Sequence, residues 1–246
     1  MSEDDVDYYG TFESAEIENV KVLHEKFSKE LEMFKRSFSV MTEAVLDVHN
    51  KLVLSQAPTP VKDFAITLVS AKFIRSSKAA LNLLLDGYLY EANILWRAML
   101  EDILLLNCFL KDEKSASDWL IGKLKVRKAR RLIPELSSDE NFKRTYSWLS
   151  DYVHTNPHSF GLITEFGDKE ATLKISPTLT QWIGDLIIFP MAFNFIFLIF
   201  IKHTYGEKIE NNIRDKMEQL IVEISSLFKK FENHRLASAF PSDHKN

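Results

Sequence analysis

The 246-residue chain is 46% apolar and 27% charged with a formal net charge of −4, the balance of a folded globular protein rather than of a disordered or nucleic-acid-coated one. Seven glycines and seven prolines over that length leave few breakers, which excludes a fold of many short strands and turns and favours long helices. The single cysteine, Cys108, in the apolar run Ile103–Leu110, has no internal disulfide partner, so a reducing cytoplasm is the expected setting and a small buried hydrophobe the expected role.

The first eleven residues read as a solvated acidic tail without the basic-then-apolar order of a signal peptide. From about Phe12 to Leu54, apolar residues such as Val20, Leu23, Phe27, Leu31 and Phe34 recur at spacings of three and four. That pattern predicts one long helix, or two with a break near Ser37–Ser39. The stretch Gln56-Ala-Pro-Thr-Pro60 ends it, because proline cannot continue the hydrogen-bond ladder. A second helix is expected over Val61–Asp86 with Gly87 as its cap, and a third over Tyr88–Lys111, the two forming an antiparallel hairpin. A fourth, capped by Ser115 or Ser117, would run through Leu132. A fifth spans about Asp139–Thr155, where Asn156-Pro157 stops it.

Two β-prone runs around a polar turn then predict a small hairpin near residues 161–176. The segment Leu186–Ile201 is apolar on all sides but short for a membrane span, and Pro190 and Asn194 interrupt it. A buried central helix within about Leu179–Tyr205 is favoured over a membrane-inserted one. An amphipathic helix over about Lys208–Asn233 and a frayed C-terminal stretch complete the chain. The expected fold is all-α: a bundle of six to seven helices with a hairpin insertion, in one domain over residues 12–233.

Three polar side chains stand out in the third helix. Asn93, Arg97 and Glu101 recur every four residues and so share a face. They are either a solvent-facing edge or a partly buried pair, which needs further polar groups to complete it. The fifth helix offers such groups: Ser150 and His154 lie four apart, with His158 just beyond Pro157. Histidine trades protons near neutral pH, but near a helix C-terminus it also simply caps carbonyls. A metal held by His154, His158, Asp151 and Glu101 is a weaker option, because no HExxH motif, cysteine cluster or aspartate-rich loop accompanies them. No metal or cofactor is therefore expected.

The run Lys123, Lys125, Arg127, Lys128, Arg130, Arg131 concentrates positive charge in nine residues of an acidic chain. It reads as a solvated face or as a surface for phosphates. No phosphate-cradling glycine loop, GxSxG elbow or dinucleotide fingerprint occurs, which leaves kinase, dehydrogenase and α/β-hydrolase chemistry unsupported.

The pattern Gly87-x3-Glu91-Ala92, Arg97-x3-Glu101, Trp119-Leu120 and Leu149-Ser150-x3-His154, followed by proline, resembles an uncharacterised family of bacterial helical proteins loosely related to the HEPN superfamily, over roughly Val61–Pro177. That resemblance implies a small helical bundle, and in many members a metal-independent endoribonuclease of a defence or toxin system, acting as a homodimer. Other members are non-catalytic binding domains. The usual signature of that superfamily has about four to six residues between an arginine and a following histidine, whereas nine residues separate Arg144 from His154. Two functions follow. In one, His154 is an acid or base on RNA, Arg97 stabilises phosphate charge, Glu101, Asn93 and His158 support them, and Ser150 assists. In the other, a non-enzymatic bundle uses the Arg97–Glu101–His154 group as a structural network and binds a partner or small anion.

Overall fold

A computed structural model describes residues 8–55, 58, 60–134, 138–153, 164–166, 171–173 and 183–232. Eight α-helices occur among them: α1 (Tyr8–Val48), α2 (Val61–Asp86), α3 (Leu89–Lys111), α4 (Glu113–Leu120), α5 (Val126–Leu132), α6 (Glu140–Val153), α7 (Ile183–Tyr205) and α8 (Asn211–Glu232).

The α1 helix follows its three-and-four spacing through Ser37–Ser39 without a break. Its irregular point is Phe27, at φ −126° and ψ 29°. It passes into a π-helical turn, His49–Leu54. There Asp47 binds Lys51 at 2.8 Å and accepts the Glu210 backbone N–H at 2.9 Å, which ties the end of α1 to the start of α8. The α2 helix ends as its sequence predicts. Gly87 takes φ 94°, and the Gly87 and Tyr88 N–H groups bond back to Leu84 and Leu83 carbonyls; only glycine adopts that left-handed turn at little cost. With Leu89 already helical, α2 and α3 pack along their length as an antiparallel hairpin.

The expected fourth helix is two helices. Asp112, not a serine, caps α4: its carboxylate accepts the Lys114 N–H at 3.1 Å and the Ser115 hydroxyl at 3.0 Å. Gly122, at φ 74°, turns the chain out of α4 before α5 begins. Asp139 caps α6 by accepting the Phe142 N–H at 2.7 Å.

The expectation of six to seven helices with a hairpin insertion near 161–176 is corrected. Among the described residues the architecture is all-α, without a β-layer. Thr164–Phe166 and Ala171–Leu173 do lie antiparallel, but a two-stranded pairing of three residues a side is marginal by itself and makes no layer of the fold.

One hydrophobic cluster runs through the helices, with Trp96, Phe34, Phe73, Phe109 and Phe197 among its largest sealed side chains. The α7 helix crosses α1, α2, α3 and α8 and stays helical through the buried Pro190. Its Met191, Phe193, Phe197, Leu198 and Ile201 are buried. Among the described residues no helix is long and apolar enough to cross a membrane.

At the centre, Asn194 accepts the Ser77 hydroxyl at 2.7 Å and donates to Ser37 Oγ at 2.9 Å, and Ser37 donates to the Phe34 carbonyl at 2.7 Å. All three residues are fully buried, so the amide cannot exchange these partners for water. Asn194→Ala leaves the Ser77 hydroxyl without its acceptor and Ser37 Oγ without its donor, though Ser37 keeps its bond to the Phe34 carbonyl; with the cavity left by the amide it should lower unfolding free energy by about 2–4 kcal/mol, read as a lower midpoint in urea denaturation.

Candidate functional site

The polar stripe of α3 faces α6, and Arg97 is its centre. The Arg97 guanidinium pairs with Glu101 one turn along and donates from Nε to Ser150 Oγ of α6 at 3.0 Å. Its Cζ lies 3.4 Å from the centroid of the Tyr146 ring. The Tyr146 hydroxyl donates to Glu101 Oε1 at 3.5 Å, and Ser150 donates to the Tyr146 carbonyl at 2.6 Å. The helical spacing explains the set: 97 and 101 on one helix, 146 and 150 on the other, are each one turn apart. With Arg97 opposite Ser150 and Glu101 opposite Tyr146, the two helices run antiparallel. The Arg97 side chain is 11% exposed and that of Glu101 29%. The pair is therefore the partly enclosed one and not a solvent edge, completed by the hydroxyls and ring that such a pair needs.

Helical spacing pairs Arg97 with Glu101 within α3, and the structure brings Ser150 of α6 to the same guanidinium. Asn93, on the same face, does not join them. Its amide donates to its own helix at Leu89 O, 2.9 Å away, while Oδ1 is buried without a partner. The neighbouring Trp96 indole N–H is likewise buried and unpartnered, its ring set edge-on to Phe189, which also meets Trp148. His154 and His158 lie outside the described residues. Among those described, no three His, Cys, Asp or Glu side chains gather as a metal site. Cys108 is buried, donates to Ala129 O at 3.1 Å, and has its thiol pushed up to about 11 by burial, so it is an inert packing residue.

The basic run is divided. Lys123, Lys125, Arg127, Lys128 and Arg131 are exposed and pair with no carboxylate among the described residues. Arg130 is half-buried, its Cζ 4.5 Å from the Tyr146 centroid and 6.0 Å from that of Phe142. The patch and the Arg97 cluster thus share Tyr146.

Sequence reading passed over a second charged pair. Asp102 is sealed between α3 and α2, its side chain 1% exposed, and accepts from Lys72 Nζ at 2.6 Å, while Oδ2 has no partner. The signal was present: successive helical positions diverge by about 100°, so Glu101 and Asp102 cannot both face α6. Burial pushes the Asp102 carboxyl up to about 6, the Lys72 ammonium only partly opposing it and the Glu101 charge adding to it.

A model of a family of unknown function, DUF5677, matches residues 63–132. The matched stretch runs from the first turn of α2 to the end of α5. It holds Lys72, Arg97, Glu101, Asp102 and the basic run, and stops before Tyr146 and Ser150. No curated protein and no solved structure matches the chain.

The buried aspartate gives a pH dependence of stability. Between ~4, the unfolded carboxyl value, and about 6, the folded state holds a proton that the unfolded state has lost. Stability is therefore fullest below that window, falls as pH rises through it and levels off above. The fall should amount to about 1–3 kcal/mol. Comparing urea midpoints of wild type and Asp102→Asn from pH 4 to 8 checks this. The asparagine variant should lack this downward component, and parallel curves would contradict the assignment.

Proposed function

We propose that this protein is a non-catalytic interaction bundle that binds a polyanion, RNA being the ligand class, through the exposed cations of the α4–α5 region. One contrast carries the reading. Arg97, the cation that a phosphate-transferring site would need, is occupied by Glu101, Ser150 and the Tyr146 ring. Lys123, Lys125, Arg127, Lys128 and Arg131 are exposed with no carboxylate partner among the described residues. A neutralised, largely enclosed guanidinium holds helices together; solvated cations on one short segment are available to phosphates and release counterions on contact.

The ribonuclease reading needs Arg97 disengaged from Glu101, so that its charge falls on a phosphate rather than on a neighbouring carboxylate. As a structural clasp the pair has a different consequence. Removing Glu101 leaves a largely enclosed cation without its counter-charge, so Glu101→Ala should destabilise by about 1–3 kcal/mol, below the range for a fully sealed pair because Glu101 is partly hydrated. Thermal melts of the variant and wild type read this directly.

The binding reading is tested by anisotropy of a fluorescein-labelled single-stranded RNA of about 20 nucleotides, titrated with protein across a salt series. Affinity should fall steeply with salt, and Arg127→Ala and Lys128→Ala should each lower the slope of log K against log salt by about one. The RNA should be recovered intact. No binding at low salt would sink the proposal. Cleavage that co-purifies with the protein and disappears in Arg97→Lys would replace it with the ribonuclease reading.

A further inference from the structure

We infer that Arg130 is a positioning residue of the basic surface and not one of its ligand contacts: set over the Tyr146 ring, it locks α5 to α6 and, through the same ring, to Arg97 of α3. Its consequence for RNA rests on the polyanion reading above; the lock itself rests on geometry alone.

The α5 helix has seven residues and no side-chain cap at its start, so it has too few turns to hold itself folded or oriented. Its apolar attachment is one narrow stripe. Ala129 is fully buried with its carbonyl taking the Cys108 thiol, flanked by the partly buried Val126 and by Ile133 just past the helix. A single stripe of small contacts fixes distance but resists rolling poorly, because apolar attraction has no direction. Arg130 is the next residue round from Ala129 and supplies a second line of contact, with Tyr146 at 4.5 Å and Phe142 at 6.0 Å.

The ring it meets is itself fixed. Tyr146 has Arg97 Cζ at 3.4 Å on its ring, Glu101 on its hydroxyl, and Ser150 on its carbonyl. Holding Arg130 against that ring sets the rotation of α5, and with it the directions of Arg127, Lys128 and Arg131. A guanidinium is suited to this because it is planar and stacks while staying charged; lysine keeps the charge but not the plane.

The test pairs Arg130→Lys with Lys128→Ala and reads two independent quantities. Hydrogen exchange of residues 126–132, measured without RNA, should speed up in Arg130→Lys and stay at the wild-type rate in Lys128→Ala. In the RNA titration Arg130→Lys should lose affinity several-fold with the salt slope unchanged. Arg130→Met, which removes the charge as well, should also keep the wild-type slope. Wild-type exchange in Arg130→Lys would overturn the lock whatever the RNA does. A slope that drops by about one in Arg130→Met, as in Lys128→Ala, would make Arg130 a phosphate contact. Faster exchange in Arg130→Lys from a protein that binds no RNA would leave the lock standing and remove the polyanion reading instead.

Discussion

A helix that is apolar all round can be buried at any rotation, because hydrophobic attraction alone prefers none. The α7 helix is such a helix, and Asn194 is what gives it a rotation. Its buried amide has to meet Ser77 of α2 on one side and Ser37 of α1 on the other, and every other setting strands polar groups in the core at a cost of about 1–3 kcal/mol each. Once that angle is set, Phe189 and Phe193 follow: Phe189 meets Trp96 of α3 and Trp148 of α6 edge-on. The three-way amide contact thereby reaches the α3–α6 interface, although none of its residues belongs to the Arg97 cluster.

The same logic recurs along α3, which gives different neighbours different polar contacts. Its Arg97–Glu101 face meets α6 through Ser150 and Tyr146, and its Asp102 face meets α2 through Lys72. The two contacts are not equivalent. Arg97 has a counter-charge, a hydroxyl and an aromatic face, so its enclosure is nearly complete. Asp102 has one ammonium, whose side chain is 55% exposed, and an oxygen with no partner. Burial therefore outweighs the ion pair there and raises the carboxyl, whereas the Arg97 set works as a fastening. Enclosed charge on α3 consequently serves partner choice between helices at both faces, at a cost in stability that falls mainly on Asp102.

The readable parts of the sequence were those governed by local rules. The α2–α3 hairpin was legible because Gly87 and the helical spacing lie next to each other in the chain, and the meeting of Arg97 with Glu101 because one helical turn fixes it. Ser150 was legible as a candidate only because its own helix was periodic; that it stands opposite Arg97 depends on how α3 and α6 cross. The split of α4 from α5 turns on Gly122, one residue at positive φ in an otherwise helical stretch, and Asp112 outcompetes the serines as a cap by accepting from two groups at once. The hairpin failed for the opposite reason. Strand propensity was present, but two three-residue strands paired only with each other do not make a layer. Asp102 and the Asn194 triad were out of reach as contacts because their partners come from other helices, although each was visible as a polar residue in an apolar run.

The distribution of positive charge follows from what folding uses. A cation enclosed with a carboxylate has already exchanged its water for a fixed partner, and a phosphate would have to displace that partner to reach it. Arg97 is in that condition, and Arg130 lies against the ring beside it. The five exposed cations of the α4–α5 region keep their hydration and their long-range field, and a partner meets them without any internal contact being broken. The chain as a whole carries net negative charge, and at physiological salt fields fade over ~8 Å, so this field is felt only from the side where α5 lies. Attraction there depends on the side chains pointing together, which a seven-residue helix does not guarantee. The ring shared by Arg97 and Arg130 is where the enclosed charge of the core and the free charge of the surface are joined, and it makes the orientation of the second a property of the first.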